Sequence, residues 1–401
     1  MICKIENKLK LNLLRNKYLI FVILITLFSL CIRLVLFNYS SGDYIYFLHP
    51  WFKQIKHMGG VNALKIQVGN YNILYQFIIS LLTYIPIKDI YLYKFLSVIF
   101  DYVLAISSGF IVFNLSNSDN GKKLFIFTYA LILLLPTTVL NSALWAQCDS
   151  IYASFIVLAL LLLIKKRYKT SFVFMGIALS FKLQAIFVFP LFLLMWLINK
   201  RIYLLHFLLT IFTFWISGLP AYIFGRSLLT PFKIYLTQTS TYKSLFMNYF
   251  NFSGLFQVSI GNRPYYVFLS KEFILSAFMI LIVGYLYLII NSNFTSNVII
   301  GTSIWTIYTC IMFLPAIHER YSYIVDILLV ILSVIYKRYI LVAIPEILDS
   351  LLGYNSFLFS NIVNVIGLSY ISVIVYMMFT LMILNDCKKE FRKSRIIDYL
   401  N

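Results

Sequence analysis

The sequence predicts an all-α polytopic membrane protein, and three observations predict it. Only 12% of the 401 residues are charged and 61% are hydrophobic, with a mean hydropathy of +0.88; soluble domains carry roughly 25% charge. The apolar residues come in continuous runs, several near the roughly 20 residues a spanning helix needs, and not in the alternation of a membrane β-barrel. No long polar stretch is present that could fold apart, so 1–401 reads as one membrane domain.

The first run, about 18–37, follows Lys4, Lys8, Lys10, Arg15 and Lys17. A basic flank before a run of that length, with no small-residue cleavage site after it, predicts an uncleaved signal anchor with the N-terminus inside. Asp43 then emerges on the external face. The next run, 71–86, decides the topology. If it crosses, Lys122-Lys123 and Lys165-Lys166-Arg167 with Lys169 fall outside. If it does not, every basic cluster falls inside, including Lys200-Arg201, Lys337-Arg338 and the C-terminal Lys388, Lys389, Arg392, Lys393 and Arg395. The run is short, carries Tyr71, Asn72, Tyr75, Gln76 and Tyr84, and stops at Pro86, which suits a helix lying at the outer interface. The remaining spans are expected at 91–115, 122–140, 150–164, 170–183, 185–199, 203–224, 267–291, 297–316, 321–338, 339–356 and 362–385. With the first, that makes about twelve transmembrane helices and puts both termini in the cytoplasm. The pair 170–199 is short for two crossings and is expected to be a hairpin of half-length helices, tolerated where the broken backbone is buried in protein or lines a cavity.

The net charge of +19 is read as the positive-inside rule and not as a nucleic-acid footprint. Five scattered cysteines, Cys3, Cys31, Cys148, Cys310 and Cys387, have no metal spacing and predict no disulfide framework. The chain lacks Walker A, Gly-x-Gly-x-x-Gly, His-Glu-x-x-His and Gly-x-Ser-x-Gly sequences. An activated substrate is therefore expected from the membrane, not from a nucleotide.

Asp and Glu total 14, yet three polar turns concentrate them beside aromatics. The first is Ser41-Gly-Asp-Tyr-Ile-Tyr-Phe-Leu-His-Pro-Trp51, with Asp43, Tyr44 and Trp51. The second is Trp145-Ala-Gln-Cys-Asp149, with Gln147 inside it. The third is His318-Glu-Arg-Tyr321, where Glu319 can orient its neighbours and Arg320 can hold phosphate oxygens. The topology above places all three, and the long loop 225–266 with Arg226, Lys233, Lys243 and Arg263, on the external side. A carboxylate at such a place is a solvated loop group, an oxygen ligand for a divalent cation such as Mg or Mn, or a general base. Trp, Tyr and His beside acids suit sugar rings and hydroxyls, although the interfacial aromatic belt explains most of the 31 Tyr and 37 Phe. Within the spans, Asp101 is expected to pair with a Lys or Arg, Arg33 lies near the outer end of the first run, and Lys182 in Ser180-Phe-Lys-Leu-Gln184 suits a lipid phosphate.

Taken in order, Gly42-Asp-Tyr with Pro50-Trp51, Trp145-Ala-Gln-Cys-Asp-Ser-Ile-Tyr152, Phe181-Lys-Leu-Gln184 and His318-Glu-Arg-Tyr321 resemble the GT-C superfamily of membrane glycosyltransferases. The nearest branch is the bacterial polyprenol-phosphate-mannose-type mannosyltransferases related to GPI mannosyltransferases. The resemblance implies a GT-C-like bundle with external juxtamembrane helices in the first loop. It assigns 18–340 to the GT-C module, with the catalytic loop at 38–90, and 341–401 to variable spans and a basic cytoplasmic tail. It further implies inverting transfer of a hexose, mannose-type, from a polyprenyl-phosphate donor to a cell-surface glycan or glycolipid acceptor. Asp43 is then the general base or a metal ligand, and Asp149 the second-loop acid. Lys182 and Gln184 lie near the donor, and His318 and Arg320 contact its phosphate or sugar. Where the family often has a Pro pair, this chain reads Asn70-Tyr-Asn-Ile-Leu-Tyr75. The alternatives are a flippase or transporter of lipid-linked sugar, which predicts a charged path through the bundle and internal repeats, and a polysaccharide polymerase of another membrane fold.

Overall fold

The first helix, α1 (Lys17–Leu36), leads into a loop built from short helical pieces. These are a π-helical turn (Tyr44–Leu48), α2 (His49–His57), a 3-10 turn (Gly60–Lys65) and α3 (Ile73–Leu82). Next come α4 (Asp89–Leu115), α5 (Gly121–Leu134), α6 (Pro136–Leu144) and α7 (Asp149–Ile164). α8 (Tyr168–Phe181) breaks at Lys182 into a 3-10 turn (Leu183–Val188) and α9 (Phe189–Ile198). α10 (Leu204–Ile216), α11 (Leu219–Ile223) and α12 (Thr230–Thr241) lead to strand β1 (Phe246–Met247). The rest is α13 (Arg263–Asn291), α14 (Ser296–Phe313), β2 (Ile317–His318), α15 (Tyr323–Ile335), α16 (Ile340–Phe359) and α17 (Val365–Leu400). This computed structural model describes residues 16–116, 120–241, 244–256 and 263–400. The basic residues expected to hold the N-terminus inside, Lys4 to Arg15, lie outside them, as do Cys3 and Lys243.

Six of the described helices are long and apolar enough to cross a membrane: α1, α4, α13, α14, α16 and α17. α5 and α6 together make a seventh, bent by 51°. The chain is a multi-pass, all-α membrane protein. The expected count of about twelve is not reached by length and composition, for two physical reasons. Several apolar runs form helices of only 10–17 residues, among them α7, α10 and α15. The 16 residues of α7 rise only about 24 Å against a hydrocarbon core of about 30 Å. The expected spans 122–140 and 203–224 are also broken in the middle, at Leu135-Pro136 and at Ser217-Gly218, where Pro136 and Pro220 sit in the first turn of the next helix. The run 71–86 yields α3, a helix of only 10 residues.

The centre of the bundle is α14, of whose 18-residue window 83% is buried, while α1 is 11% buried and peripheral. α4 packs on α5, α7 and α15, α7 on α8, and α8 on α10. Asp101 of α4 pairs with Arg33 of α1 at 2.9 Å, with neither side chain exposed. Ser142 donates to the same Asp101 oxygen at 2.5 Å, and Arg33 also donates to the Leu133 carbonyl at 2.9 Å. Lys94, not anticipated from the sequence, has no exposure and donates to the carbonyls of Leu36, Phe37 and Tyr39. It supplies donors to the carbonyls at and just past the end of α1, where the helix leaves its last acceptors without partners of its own.

Candidate active site

The three polar turns meet, and local backbone geometry brings them together. Ser41 Oγ accepts from the Tyr44 N–H and donates to the Trp145 carbonyl at 2.9 Å, tying the first turn to the second. After α6 the chain reverses through Ala146 at φ 65°, and the Gln147 N–H returns to the Asn141 carbonyl at 2.9 Å. The third turn follows Ala316 at φ 58°, and parallel pairing of β1 with β2 sets Met247 against His318. Asn248, bridged to His318, has φ 67°. Three of the five positive-φ residues other than glycine among the described residues thus surround this one place. Such conformations persist only where the surroundings enforce them, and they cluster at functional sites.

Asp43 is the hub. Its Oδ2 accepts from Trp145 Nε1 at 2.9 Å, Gln147 Nε2 at 2.6 Å and Arg320 Nη1 at 3.3 Å. Oδ1 takes no hydrogen bond among the described residues. Arg320 stacks over the Trp145 ring, 5.4 Å from its centroid, and its Nε faces Asp149 Oδ2 at 4.0 Å. Asp149, buried at the first residue of α7, is paired with Lys182 and accepts from Asn141 Nδ2 at 2.8 Å. Lys182 holds extended backbone between α8 and the turn that follows, which is the break expected for the half-length hairpin. Asp149 is therefore a clamp for Lys182 and Arg320, with Asp43 the more accessible acid of the two.

A cavity of about 420 Å³ opens beside this cluster, lined by Lys182, Gln184, His318, Arg320 and Tyr321 together with Tyr71. The Gln184 Oε1 atom is buried there without a hydrogen-bond partner among the described residues. Phe181, Ile186, Phe187, Ile274 and Leu314 give the cavity an apolar side, and Asn70, Gln238, Thr239, Thr241 and Ser270 add polar residues to the lining. Glu319 lies behind, with no exposure, 3.5 Å from Arg320. Burial, partly offset by Arg320, pushes the Glu319 carboxyl up to about 7. Burial, helped by Arg320 and Lys182, pushes His318 down to about 3. His318 is thus neutral at physiological pH, and its 3.9 Å contact with Glu319 is no ion pair. Burial alone would lower the Arg320 guanidinium, but Asp43, Glu319 and Asp149 override it and push it up.

Of the expected substrate residues, Trp145, Gln147 and Glu319 are buried around Asp43 and Arg320 without lining the cavity, and Tyr44 and Trp51 sit elsewhere. The π-helical turn that starts after Asp43 carries Tyr44 toward Asp89, to which its hydroxyl donates at 3.0 Å, and His49 Nδ1 lies 2.6 Å from the same carboxylate. Trp51 lies edge-on to Tyr71 and over Gly69, whose φ of 74° and contact with the indole leave no room for a Cβ. It is a wall behind Tyr71 and does not line the cavity. A divalent cation between Asp43 and Asp149 does not fit this donor set, because the Arg320 guanidinium occupies the space between them and N–H donors crowd Asp43 Oδ2. Among the described residues no group of three His, Cys, Asp or Glu side chains is placed to hold a metal.

Two contributors escaped the sequence reading. Tyr71, whose phenol burial pushes well up, stays neutral and donates to Gln147 Oε1 at 3.2 Å. Asn141 fixes Asp149 from eight residues upstream, inside an apolar run that gives no pattern to find it by. Arg226, noted only as a loop cation, joins the 225–266 segment to the first loop through Gln67 Oε1 at 2.7 Å. No protein-family model and no curated protein matches this chain.

Proposed function

We propose that the chain is an inverting GT-C-type membrane glycosyltransferase, moving a mannose-type hexose from a polyprenyl-phosphate donor to a glycan or glycolipid acceptor. The observation that carries this reading is the placement of Lys182 and Arg320 on the wall of a cavity that also has an apolar side, with Asp43 3.3 Å from Arg320. A lipid-linked phosphate needs both halves of such a cavity. The acceptor hydroxyl attacks the anomeric carbon as the bond from that carbon to the phosphate oxygen breaks. The bond's electron pair leaves with the phosphate, and Asp43 Oδ1 takes the hydroxyl proton. Arg320 and Lys182 hold the charge that develops on the leaving phosphate, where low dielectric makes each contact strong. One base suffices, because inversion needs no enzyme nucleophile. In this reading the site faces the extracytoplasmic side and both termini face the cytoplasm.

The test uses the full chain in proteoliposomes supplied with several polyprenyl-phosphate sugars and a mixed glycan acceptor, with product analysis. Transfer that Asp43→Asn abolishes in a normally inserted protein supports the assignment. Wild-type transfer by Asp43→Asn would sink it. Orientation is tested separately with a single cysteine at Lys122, which a membrane-impermeant thiol reagent should reach only from the cytoplasmic face.

A further inference from the structure

A second cavity, of about 580 Å³, lies at the far ends of the two helices that carry Asp149 and Lys182. α7 separates Asp149 from this place by 16 residues, a rise of about 24 Å, so the cavity lies at the opposite end of that helix from the first site. Lys166, Arg167, Lys169 and Arg201 line it, and no carboxylate does. None of these four cations forms an ion pair among the described residues.

The concavity is built and does not rest on flexible surface side chains alone. Asn199 Nδ2 donates to the Tyr168 hydroxyl at 2.8 Å and its Oδ1 accepts the Arg201 N–H at 3.0 Å, so the 199–201 turn is drawn against the start of α8. Thr210 Oγ1 donates to the Phe172 carbonyl at 2.8 Å and locks α10 to α8. α8 begins here with no acid in its first turn and no side-chain cap, so its positive end adds to the cations. Basic residues kept on one face by insertion alone need no such cavity.

One rim of the cavity is apolar. Leu205 lines it and is 65% exposed, and Leu204, Leu208, Ile211 and Phe212 continue the exposed apolar face of α10. We propose that this cavity binds the phosphate-bearing headgroup of an anionic phospholipid, with the acyl chains lying along α10. A free phosphate uses the cations but not the apolar face, whereas a lipid uses both. Basic pockets between membrane helices take anionic headgroups for this reason.

The experiment uses the full chain in phosphatidylcholine nanodiscs with trace photoactivatable phosphatidylglycerol or phosphatidylcholine, adducts being mapped by mass spectrometry. The phosphatidylglycerol probe is expected on segments 166–170 and 201–209, displaced by unlabelled phosphatidylglycerol and not by inorganic phosphate at equal concentration. Each cation near the membrane surface is worth about fivefold in affinity, so Arg167→Gln with Arg201→Gln should weaken labelling roughly thirtyfold. Arg167→Lys with Arg201→Lys, which keeps the charge, should retain most of it and shows that the pair tolerates substitution. Equal labelling by the two probes, or unchanged labelling in the Gln variant, overturns the proposal. Equal displacement by inorganic phosphate overturns the lipid assignment.

Discussion

Arg33 and Asp101 face each other between α1 and α4 with no exposure, whereas Arg320 and Lys182 line a cavity of about 420 Å³ with Asp43 and Asp149 paired behind them. Both sets are made of the same residue types. The first is fully buried: Arg33 reaches one Asp101 oxygen at 2.9 Å from two nitrogens, and Ser142 and the Leu133 carbonyl add hydrogen bonds, while Asp101 Oδ1 has no hydrogen-bond partner among the described residues. The second is looser: Arg320 spans two carboxylates at 3.3 and 4.0 Å and keeps a broad face on the Trp145 ring. A charge pair closed by its own partners holds helices together. A cation shared loosely among acids beside an open cavity can exchange a carboxylate for a substrate phosphate. Contact with the cavity, and not the presence of buried charge, separates the two sets in this bundle.

The sharpest way to break this comparison is to remove one acid from each set. Asp43→Asn should lower sugar transfer by about 10²–10⁴-fold, the range for a lost general base, while the melting temperature in detergent stays near that of the wild type. Asp101→Asn should do the reverse. It leaves Arg33 buried without its counter-charge, at about 3–5 kcal/mol of stability, while protein that remains folded keeps its turnover. Arg33→Met with Asp101→Leu should recover much of that loss. If Asp101→Asn is as stable as wild type and inactive, the division between the two sets is wrong.

Lys182 sharpens the comparison further, because it is nearly as buried as Arg33 but lines the cavity. Lys182→Met should reduce turnover by about 10²–10³-fold, as loss of one charge-stabilising donor does. It also leaves Asp149 with Asn141 and the distant Arg320, so a stability loss should accompany the rate loss, and the added substitution Asp149→Asn should relieve only the stability loss. Recovery of turnover by that second substitution would mean that Lys182 serves Asp149 and not the substrate.

The convergence of the three turns was legible because acids are scarce and each turn joins the end of an apolar run. Parity then put the turns on one side, and the broken hairpin at Lys182 followed from its length. Side-chain direction was not legible. Tyr44 follows Asp43 directly, yet the π-helical turn points it at Asp89, and no periodicity in the sequence announces that widened turn. Nothing in the sequence singles out Asn141 in its apolar run or Lys94 near a span end. Their roles depend on Asp149, eight residues from Asn141, and on the carbonyls around the end of α1, which lie far from Lys94 in sequence. Length and composition find six or seven of the expected twelve spans, because several apolar runs form helices of only 10–17 residues.

The smallest expected effect concerns Glu319, which belongs to neither set cleanly: it is fully buried like Asp101 but touches Arg320 at 3.5 Å. Its carboxyl is pushed up to about 7 from an ordinary value near 4.5, burial being the main cause. The folded protein therefore holds this proton up to about pH 7 and the unfolded chain only to about 4.5. Between those values the folded state binds more protons, so this group's contribution to stability falls as pH rises from about 4.5 to 7 and is level above that. Glu319→Gln keeps the shape and removes the proton, so its melting temperature should decline less than the wild type's across that window. The same ionisation adds a third carboxylate beside Arg320 above about pH 7. The wild type's KM for a polyprenyl-phosphate donor should accordingly rise from pH 6 to 8, and that of Glu319→Gln should rise less. Parallel profiles for the two proteins would remove Glu319 from the electrostatics of the site and leave it as packing beneath Gly353, whose Cβ, if present, would meet Glu319 Cβ at 3.1 Å.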